Sequence, residues 1–346
     1  MNNRTTKILI IRRSALGDTI HTLPLAAALR EKFPNAEIDW IVEDKAAQFI
    51  ENNPLLNKVY VIHKKTGGMK ELISLIQEIH HKKYDIAIDT QQLLKSGIIL
   101  GMSGAKRKIA LSDGREFSGI FANEIIKTNR PQFDINYHVI KRNLEIAEYL
   151  GANTENIAFI LPESSQEAKQ KAQEILKKLD NNKKTIIIAP ETTWENKHWQ
   201  VENWRELIKI YKDKTNILYT GTKNDKGLSK EILSGFNEED ILNLQGKTNL
   251  AELPEIFKLA DLVISPDSGS AHIAWATGKP SIITLFFATS AERTAPFGEK
   301  YYSVQADCNC SPCMKKICRQ NDKNVCTKKI NLQTIVKLVN KVLQFD

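Results

Sequence analysis

Short apolar runs alternate with segments of helical spacing along the first half of the chain. Apolar runs of about four to eight residues are typical of buried strands, and apolar residues three and four apart indicate helices that cover them. Strands are predicted at residues 7–11, 37–42, 58–62 and 85–89. Helices are predicted near residues 19–33, 44–52, 69–82 and 137–150. This alternation predicts a parallel sheet wrapped by helices.

The alternation begins again in the second half. Strands are predicted at residues 185–189, 216–220, 262–264 and 281–286, with helices at residues 201–211, 271–277 and 332–343. Between the halves, residues 164–179 predict a connecting helix that begins at Ser164 or Ser165, with Glu167 placed for a capping box. The chain is therefore expected to be an α/β protein with two doubly wound, Rossmann-like domains.

Length and composition agree with two domains. The 346 residues, 42% of them apolar, are enough for two cores. No apolar run approaches the roughly 20 residues of a membrane-spanning helix, and the first residues lack the small-residue cleavage site of a signal peptide. We therefore expect a cytoplasmic protein.

The net charge of +8 is concentrated near the end of the chain. Residues 308–346 contain eight Lys or Arg and two acids, a net charge of +6. Such a segment forms either a solvated basic face or a surface attracted to an anionic membrane or glycolipid. Nucleic acid is not expected as a partner, because no nucleic-acid-binding motif accompanies the charge.

Residues 261–280 contain the most informative turn. Asp267, Ser268 and Gly269 lie between the strand at residues 262–264 and the helix at residues 271–277. Small residues let a ligand approach the backbone, and free N–H groups at a helix start favour an anion. Asp267 repels phosphate but suits sugar hydroxyls, so the turn fits a sugar nucleotide; an ordinary capped turn is the alternative.

A second such turn follows the first strand. Asp18 lies near a helix start at the carboxyl end of residues 7–11, where ligands of open α/β sheets bind. The alternative is that Asp18 only complements the helix dipole. No Gly-x-Gly-x-x-Gly motif occurs there, which argues against a nicotinamide dinucleotide.

Together these turns resemble glycosyltransferase family 9, the heptosyltransferases of lipopolysaccharide core assembly. The matching segments are Lys7 to Pro24, Pro266 to His272 with Gly278-Lys279-Pro280, and, between them, Thr192-Thr193, Lys197-His198-Trp199 and Asn203 to Leu207. The resemblance covers roughly residues 7 to 300. It implies the GT-B architecture, in which two Rossmann-like domains face a cleft, and transfer of L-glycero-D-manno-heptose from ADP-heptose to Kdo of the inner core.

The resemblance also assigns the domains. It implies an acceptor-binding domain at residues 1–163, a linker at 164–183 and a nucleotide-sugar domain at 184–330, which includes a cysteine-rich segment at 308–326. The helix within residues 331–346 is expected to pack back on the first domain, as in related transferases.

The resemblance assigns the chemistry as well. Asp18 matches the base that takes the acceptor proton, and Lys197 matches the lysine that neutralises the departing ADP in place of a metal. The predicted donor-binding residues are Thr192, Thr193, Asp267, Ser268, Gly269 and His272, with Glu191 and Asp225 as helpers near the adenosine or the sugar. Alternatives from the residues alone are a solvated loop lysine, loop capping by the threonines and a packed helix histidine.

Residues for the acceptor are predicted in the first half. The candidates, which would meet carboxylate or phosphate of Kdo-lipid A, are Gly17, Lys95, Arg115, His138 and Arg142. Arginine suits such groups by its bidentate geometry, while surface ion pairing is the alternative for Arg115 and Arg142. No cofactor and no metal are expected.

All five cysteines lie in one segment, at Cys308, Cys310, Cys313, Cys318 and Cys326. The Cys-x2-Cys pair could chelate a metal, but the overall spacing fits no common zinc site, and reduced structural thiols are favoured. The group is more similar to second-heptose enzymes, so the order of transfer stays open. Further alternatives are another sugar nucleotide, a sugar-nucleotide epimerase and a non-catalytic metal-binding protein.

Overall fold

The computed structural model describes residues 5–64, 66–128, 130, 134–225 and 227–345. The chain forms two compact units, Met1–Glu163 and Ser164–Asp346. Over the described ranges, no helix has both the length and the apolar character needed to cross a membrane.

The first unit is built on a six-stranded parallel sheet. Its strands are β1 (Lys7–Ile11), β2 (Glu37–Glu43), β3 (Lys58–Ile62), β4 (Ile86–Asp89), β5 (Arg107–Leu111) and β6 (Glu124–Ile126), in the order β3-β2-β1-β4-β5-β6. Its helices are α1 (Leu16–Ile20), α2 (Leu23–Lys32), α3 (Asp44–Ile50), α4 (Met69–Lys82), α5 (Leu94–Met102) and α6 (Val139–Tyr149), with a 3₁₀ helix at Ser118–Phe121. The strand order reverses between β1 and β4, which makes their carboxyl ends the expected ligand-binding edge.

The second unit repeats this plan. Its strands are β7 (Lys184–Ile188), β8 (Thr215–Tyr219), β9 (Leu242–Asn243), β10 (Leu262–Pro266), β11 (Ser281–Phe286) and β12 (Tyr301–Gln305), in the order β12-β11-β10-β7-β8-β9. Its helices are α7 (Gln166–Leu176), α8 (Val201–Tyr211), α9 (Leu228–Leu233), α10 (Leu253–Phe257), α11 (Gly269–Thr277), α12 (Ala291–Thr294) and α13 (Leu332–Leu343), with 3₁₀ helices at Glu195–Lys197 and Val325–Lys328. Here the order reverses between β7 and β10.

The cores explain why the apolar runs became strands. Ile8 to Ile11 of β1 and Leu262 to Ile264 of β10 are fully buried, as expected for central parallel strands covered by helices on both faces. The predicted α/β class with two doubly wound sheets is confirmed.

Three local features differ from the sequence-based prediction or add to it. The helix predicted over residues 19–33 is two helices, α1 and α2, which meet at His21 and Thr22 just before Pro24. Ser165 caps α7 by accepting a hydrogen bond from the Ala168 N–H at 3.2 Å. Helix α13 buries Ile335, Val339 and Leu343 in the core of its own unit; its contact with the first domain stays a prediction.

Candidate functional site

The carboxyl ends of β7 and β10 bring a cation and an anion together in the second unit. Lys197 Nζ lies 2.8 Å from Asp267 Oδ2, and both side chains are largely buried. Asp267 follows β10, while Lys197 ends the 3₁₀ helix of the loop that follows β7. The topological reversal between the two strands is what makes these loops neighbours.

His272 and Thr294 complete the surroundings of this carboxylate. His272 Nε2 lies 3.2 Å from Asp267 Oδ1, and the Thr294 hydroxyl donates to the same oxygen at 3.3 Å. His272 comes from the first turn of α11 and Thr294 from the last residue of α12. Thr294 was not predicted as a site residue, since nothing in its segment marks it as a neighbour of Asp267.

The electrostatics of Asp267 follow from these partners. Burial alone would raise its pKa, but the charge of Lys197 and the hydrogen bond and charge of His272 outweigh burial and hold the pKa well below its ordinary value. Asp267 is therefore a fixed, ionised carboxylate beside a fixed lysine.

The predicted phosphate-binding backbone lies next to this pair. Ser268 precedes the first residue of α11, Gly269, and its hydroxyl contacts Ser265 Oγ at 3.0 Å instead of capping the helix. The N–H groups of the first turn of a helix have no intrahelical partner, and a nine-residue helix has a dipole that favours an anion there. The start of α11 therefore favours an anion.

The other donor candidates take part in local turns. The Thr192 hydroxyl donates to the Trp194 carbonyl at 2.7 Å, whereas Thr193 is exposed on the same loop. Glu191 accepts from the hydroxyl of Thr222 at 2.6 Å, and Asp225 accepts from the N–H of Gly227 at 3.0 Å before α9. Burial opposes ionisation of Asp225, but hydrogen bonds from Ser229 and Gly227 lower its pKa.

The cysteine-rich segment supports the loop that carries Lys197. Asn196 Nδ2 donates to the Lys315 carbonyl at 2.7 Å, and Gln200 Nε2 donates at 2.8 Å to Oγ1 of Thr327, the residue that follows the segment. Cys326 is buried in the core of the second unit. All five cysteines are free thiols, and within the described residues no group of three or more His, Cys, Asp or Glu side chains is arranged to hold a metal ion.

Asp18 lies in the first unit, at the carboxyl end of β1. It is the third residue of α1, its side chain is 40% exposed, and its Oδ2 lies 2.6 Å from Arg12 Nη2. Arg12 also donates to the Thr90 carbonyl at 2.7 Å and is itself buried. Arg12 therefore holds Asp18 at the edge between β1 and β4. Sequence reasoning missed Arg12, although its place directly after a buried strand was a usable signal.

Asp89, at the end of β4, holds the loop that follows this strand. Its carboxylate accepts from the N–H groups of Gln91 and Gln92 at 2.9 and 2.8 Å and from the Ser96 hydroxyl at 2.8 Å. Burial raises the pKa of Asp89 to about 6, although these hydrogen bonds and the charge of Arg12 act in the opposite direction.

Two of the acceptor candidates meet at Gln92, whose carbonyl accepts from the Arg115 N–H at 3.0 Å and whose Oε1 accepts from Arg142 Nη2 at 2.7 Å. Gly17 lies in α1 beside Asp18, and Lys95 and Arg115 are exposed. Arg142 forms an ion pair with both carboxylate oxygens of Asp113, at 2.7 and 2.5 Å. His138 is buried, and its Nδ1 accepts from the N–H of Ile140 at the start of α6. In this structure Arg142 and His138 thus serve contacts within the first unit.

Known proteins resemble the chain over most of its length. The chain is 29% identical over 293 residues to a lipopolysaccharide core heptosyltransferase, OpsX, of Haemophilus influenzae, covering 83% of this chain and 81% of the relative. It is 28% identical over 300 residues to lipopolysaccharide heptosyltransferase 1 of Campylobacter coli, covering 84% and 86%.

A solved structure supports the same fold. The E. coli heptosyltransferase WaaC with ADP-2-deoxy-2-fluoro heptose matches with a TM-score of 0.71 and 22% identity, covering 97% of this chain and 99% of that one. Solved heptosyltransferases therefore share the two-unit GT-B fold. The model of glycosyltransferase family 9 (heptosyltransferase) matches residues 72–324, which include Lys197, Asp267 and His272. With this match over most of its length, the chain belongs to glycosyltransferase family 9, the heptosyltransferases.

Proposed function

We propose that this glycosyltransferase moves L-glycero-D-manno-heptose from ADP-heptose to Kdo of the lipopolysaccharide inner core, with inversion at the anomeric carbon. The observation that carries the proposal is the buried Lys197–Asp267–His272 cluster beside the start of α11. The names of the relatives and the nucleotide sugar in the solved WaaC structure support this choice of donor.

In the proposed mechanism the second unit binds the donor. The first-turn N–H groups at Ser268 and Gly269 receive the diphosphate, and Thr192 and Thr193 offer hydroxyls to its oxygens. Asp267 accepts hydrogen bonds from heptose hydroxyls, and His272 fixes this carboxylate and donates toward phosphate. Lys197 gains importance as charge develops on the leaving ADP, so it stabilises the transition state more than the bound donor.

Asp18 is the proposed base. The acceptor hydroxyl oxygen attacks the anomeric carbon, the bond from that carbon to the phosphate oxygen breaks, and ADP leaves with the electron pair. The hydroxyl proton passes to Asp18. Its side chain is partly exposed, so an acceptor can reach it, and Arg12 keeps it in one orientation. Carbon–oxygen bond breaking ahead of bond making gives the transition state oxocarbenium character.

The proposed acceptor is Kdo-lipid A, held by groups of the first unit that include Gly17, Lys95 and Arg115. His138 and Arg142 would act through their neighbours, because their contacts in the structure lie within the unit. No metal, cofactor or nucleic acid takes part in this scheme. The proposed location is the cytoplasmic face of the inner membrane, where a lipid-borne acceptor would meet the enzyme.

Release of ADP tests the proposal. Purified protein is incubated with ADP-heptose and, in separate reactions, with Kdo-lipid A, with heptosyl-Kdo-lipid A and with no acceptor, each with and without EDTA. The proposal expects ADP release with Kdo-lipid A that EDTA leaves unchanged. Release only with heptosyl-Kdo-lipid A would assign the second heptose instead, and loss of activity in EDTA would contradict the role of Lys197 in place of a metal.

A further inference from the structure

One face of the first unit exposes a group of large apolar side chains. They come from α5, from the 3₁₀ helix and the turn before it, and from the edge strand β6. We call them the apolar patch: Leu94, Ile98, Met102, Phe117, Ile120 and Ile125. None of them has a role in the proposed transfer chemistry.

The elements that carry the patch are neighbours. Leu94, Ile98 and Met102 recur every four residues and therefore form one stripe along α5. The 3₁₀ helix lies directly against this helix, because a Cβ added at Gly97 would lie 2.8 Å from Cδ2 of the Phe121 ring. Across the 3₁₀ helix, Ile125 Cδ1 would lie 3.8 Å from a Cβ added at Gly119.

The turn before the 3₁₀ helix presents an aromatic ring to solvent. Glu116 and Phe117 both have positive φ, 54° and 57°, a region that bulky residues rarely adopt. Phe117 is 84% exposed and Ile120 is 73% exposed. The N–H of Leu94 donates to Glu116 Oε2 at 3.1 Å, which ties this turn to the start of α5. Exposed apolar side chains grouped on neighbouring elements mark interaction sites.

Basic residues flank the patch. Lys95 follows Leu94 on α5, Arg115 lies two residues before Phe117, and Lys127 follows the last residue of β6; all three are exposed. An apolar centre with a basic rim fits the interface of an anionic bilayer, where rings and aliphatic chains enter the headgroup region and cations meet lipid phosphates. A symmetric dimer through the same patch would instead bring two positive rims together.

We infer that the apolar patch docks the enzyme on a membrane surface that contains anionic phospholipid. The inference rests on the proposed function, since a lipid-borne acceptor requires the enzyme to work at such a surface. It differs from attraction through the basic segment at residues 308–346, because the docking surface lies in the acceptor-binding unit.

The position of the patch suits this role. The N–H of Arg115 donates to the Gln92 carbonyl at 3.0 Å, and the N–H of Gln92 donates to Asp89 at the end of β4. Two hydrogen bonds thus connect the rim of the patch to the edge at which Asp18 lies. Docking through the patch brings a lipid-anchored sugar toward that edge.

Vesicle co-sedimentation without donor or acceptor tests the inference. Full-length protein is mixed with vesicles of phosphatidylcholine alone or of phosphatidylcholine with phosphatidylglycerol. We expect at least about tenfold stronger binding to the anionic vesicles, and F117S/I120S to lower that binding at least about tenfold, because both exposed apolar groups are lost. Lys127→Gln should lower it by a few-fold, and only on anionic vesicles.

A matched control removes exposed apolar groups from the second unit. L176S/I317S should bind vesicles like the unchanged protein, since Leu176 and Ile317 are exposed residues of the second unit, and Ile317 lies in the basic segment. Circular dichroism checks that each variant is folded. Equal binding by F117S/I120S and unchanged protein, or binding lost only in L176S/I317S, overturns the inference.

Two further outcomes separate this inference from its alternatives. If sedimentation shows a dimer that F117S/I120S dissociates while vesicle binding is absent, the patch is a self-association surface and the inference is wrong. With a deacylated, water-soluble Kdo acceptor, F117S/I120S should transfer heptose within about twofold of the unchanged protein. Vesicle binding that persists in the absence of any transferase activity would retain the docking surface while rejecting the proposed function.

Discussion

Asp89 and Asp267 occupy equivalent places in the two units but behave in opposite ways. Each lies at the carboxyl end of a strand beside the reversal in strand order, β4 in the first unit and β10 in the second, and each is buried. Burial raises the pKa of Asp89 to about 6. Burial acts the same way on Asp267, yet Lys197 and His272 bring its pKa well below the ordinary value.

The difference in pKa follows from the groups around each carboxyl and indicates what each strand edge can bind. Asp89 accepts hydrogen bonds from two backbone N–H groups and the Ser96 hydroxyl, and the charge of Arg12, which is bonded to Thr90 and Asp18, only partly offsets the effect of burial on Asp89. In the first unit the exposed carboxylate is Asp18, and the buried carboxyl group nearby is Asp89, whose pKa burial raises to about 6. The second unit keeps a buried ion pair that is charged before any donor binds, which suits stabilisation of a leaving anion.

Lys197→Ala should have the largest effect on this comparison. Without the lysine, Asp267 becomes a buried carboxylate with a weaker partner, and breaking a buried pair in this way costs about 3–5 kcal/mol of unfolding free energy. Transfer should fall by about 10²-fold or more, because the charge proposed to stabilise the leaving ADP is lost. Urea unfolding and kcat/KM for ADP-heptose measure the two effects.

A surface pair and a double variant are the controls for Lys197. Lys209 pairs with Glu206 at 2.6 Å with both side chains half exposed, so Lys209→Ala should change stability by less than about 0.5 kcal/mol. Lys197→Ala with Asp267→Asn should recover most of the stability but not the activity, because the unpaired charge is gone. Recovery of activity in the double variant would contradict the proposed role of the lysine.

Asp18→Asn should have the next largest effect, and on turnover alone. Loss of the proposed base should lower kcat by about 10²-fold or more with the KM for ADP-heptose nearly unchanged. Stability should change little, because the Asp18 side chain is 40% exposed and an amide oxygen can still accept from Arg12. Asp322→Asn, in an exposed pair with Lys328 at 3.0 Å, is the matched control. A kcat within a few-fold of the unchanged enzyme would reject Asp18 as the base.

Asp89→Asn should change how stability depends on pH. Because the folded-state pKa of Asp89 is raised from 3.8 to about 6, its favourable contribution is complete below about pH 4 and is lost as the pH rises through 6. The loss at neutral pH is about 3 kcal/mol. Urea unfolding between pH 4 and pH 8 should therefore show a decline that Asp89→Asn lacks.

Asp267 provides the opposite slope for that experiment. Its folded-state pKa is lowered, so its contribution is present above the ordinary pKa and is lost as the pH falls below about 4. Asp267→Asn should consequently reduce the acid sensitivity of unfolding while leaving the decline toward pH 8 in place. The same slope in both variants would show that the two carboxylates do not differ as described.

Much of the fold and part of the site could be predicted from the sequence, because those signals are local. Buried runs such as residues 7–11 fix the central strands, and the turns at Asp18 and Asp267 lie beside the strands that carry them. Short edge strands such as β6 and β12 are only partly buried and lack a clear apolar run. They form because they pair by hydrogen bonds with neighbouring strands, and the local pattern of apolar residues does not indicate this pairing.

Partners distant in sequence could not be predicted. Arg142 meets Asp113, which is 29 positions away, and Lys197 meets Asp267, which is 70 positions away. The first contact pairs Arg142, a proposed acceptor-binding residue, within its own unit. The second keeps Asp267, a proposed donor-binding residue, ionised. Only the topology brings these groups together, so residue type and spacing indicate candidates without their state.

The cysteine-rich segment offers a third case of a buried acid, with the smallest expected effect. Burial, followed by the neighbouring thiols, raises the pKa of Cys326 to about 11, so this thiol stays neutral at physiological pH, like a carboxyl without a cation. The segment contacts the Lys197 loop through the hydrogen bond from Asn196 to the Lys315 carbonyl, which joins two uncharged groups. Thiols here should therefore affect stability and not the transfer chemistry.

C310S/C313S is the variant that tests this. It should lower the unfolding free energy by about 1 kcal/mol, while kcat/KM of the folded protein stays within a few-fold, because in the proposed mechanism Asp18, Lys197 and Asp267 supply the base, the charge and the donor contacts. Cys318→Ser, at a half-buried position, is the control. Elemental analysis of protein purified with and without oxygen decides between thiols and a metal site. Near-stoichiometric zinc or iron that C310S/C313S loses would contradict reduced structural thiols, because binding energy at such a site is folding energy and its loss would unfold the segment beside Lys197.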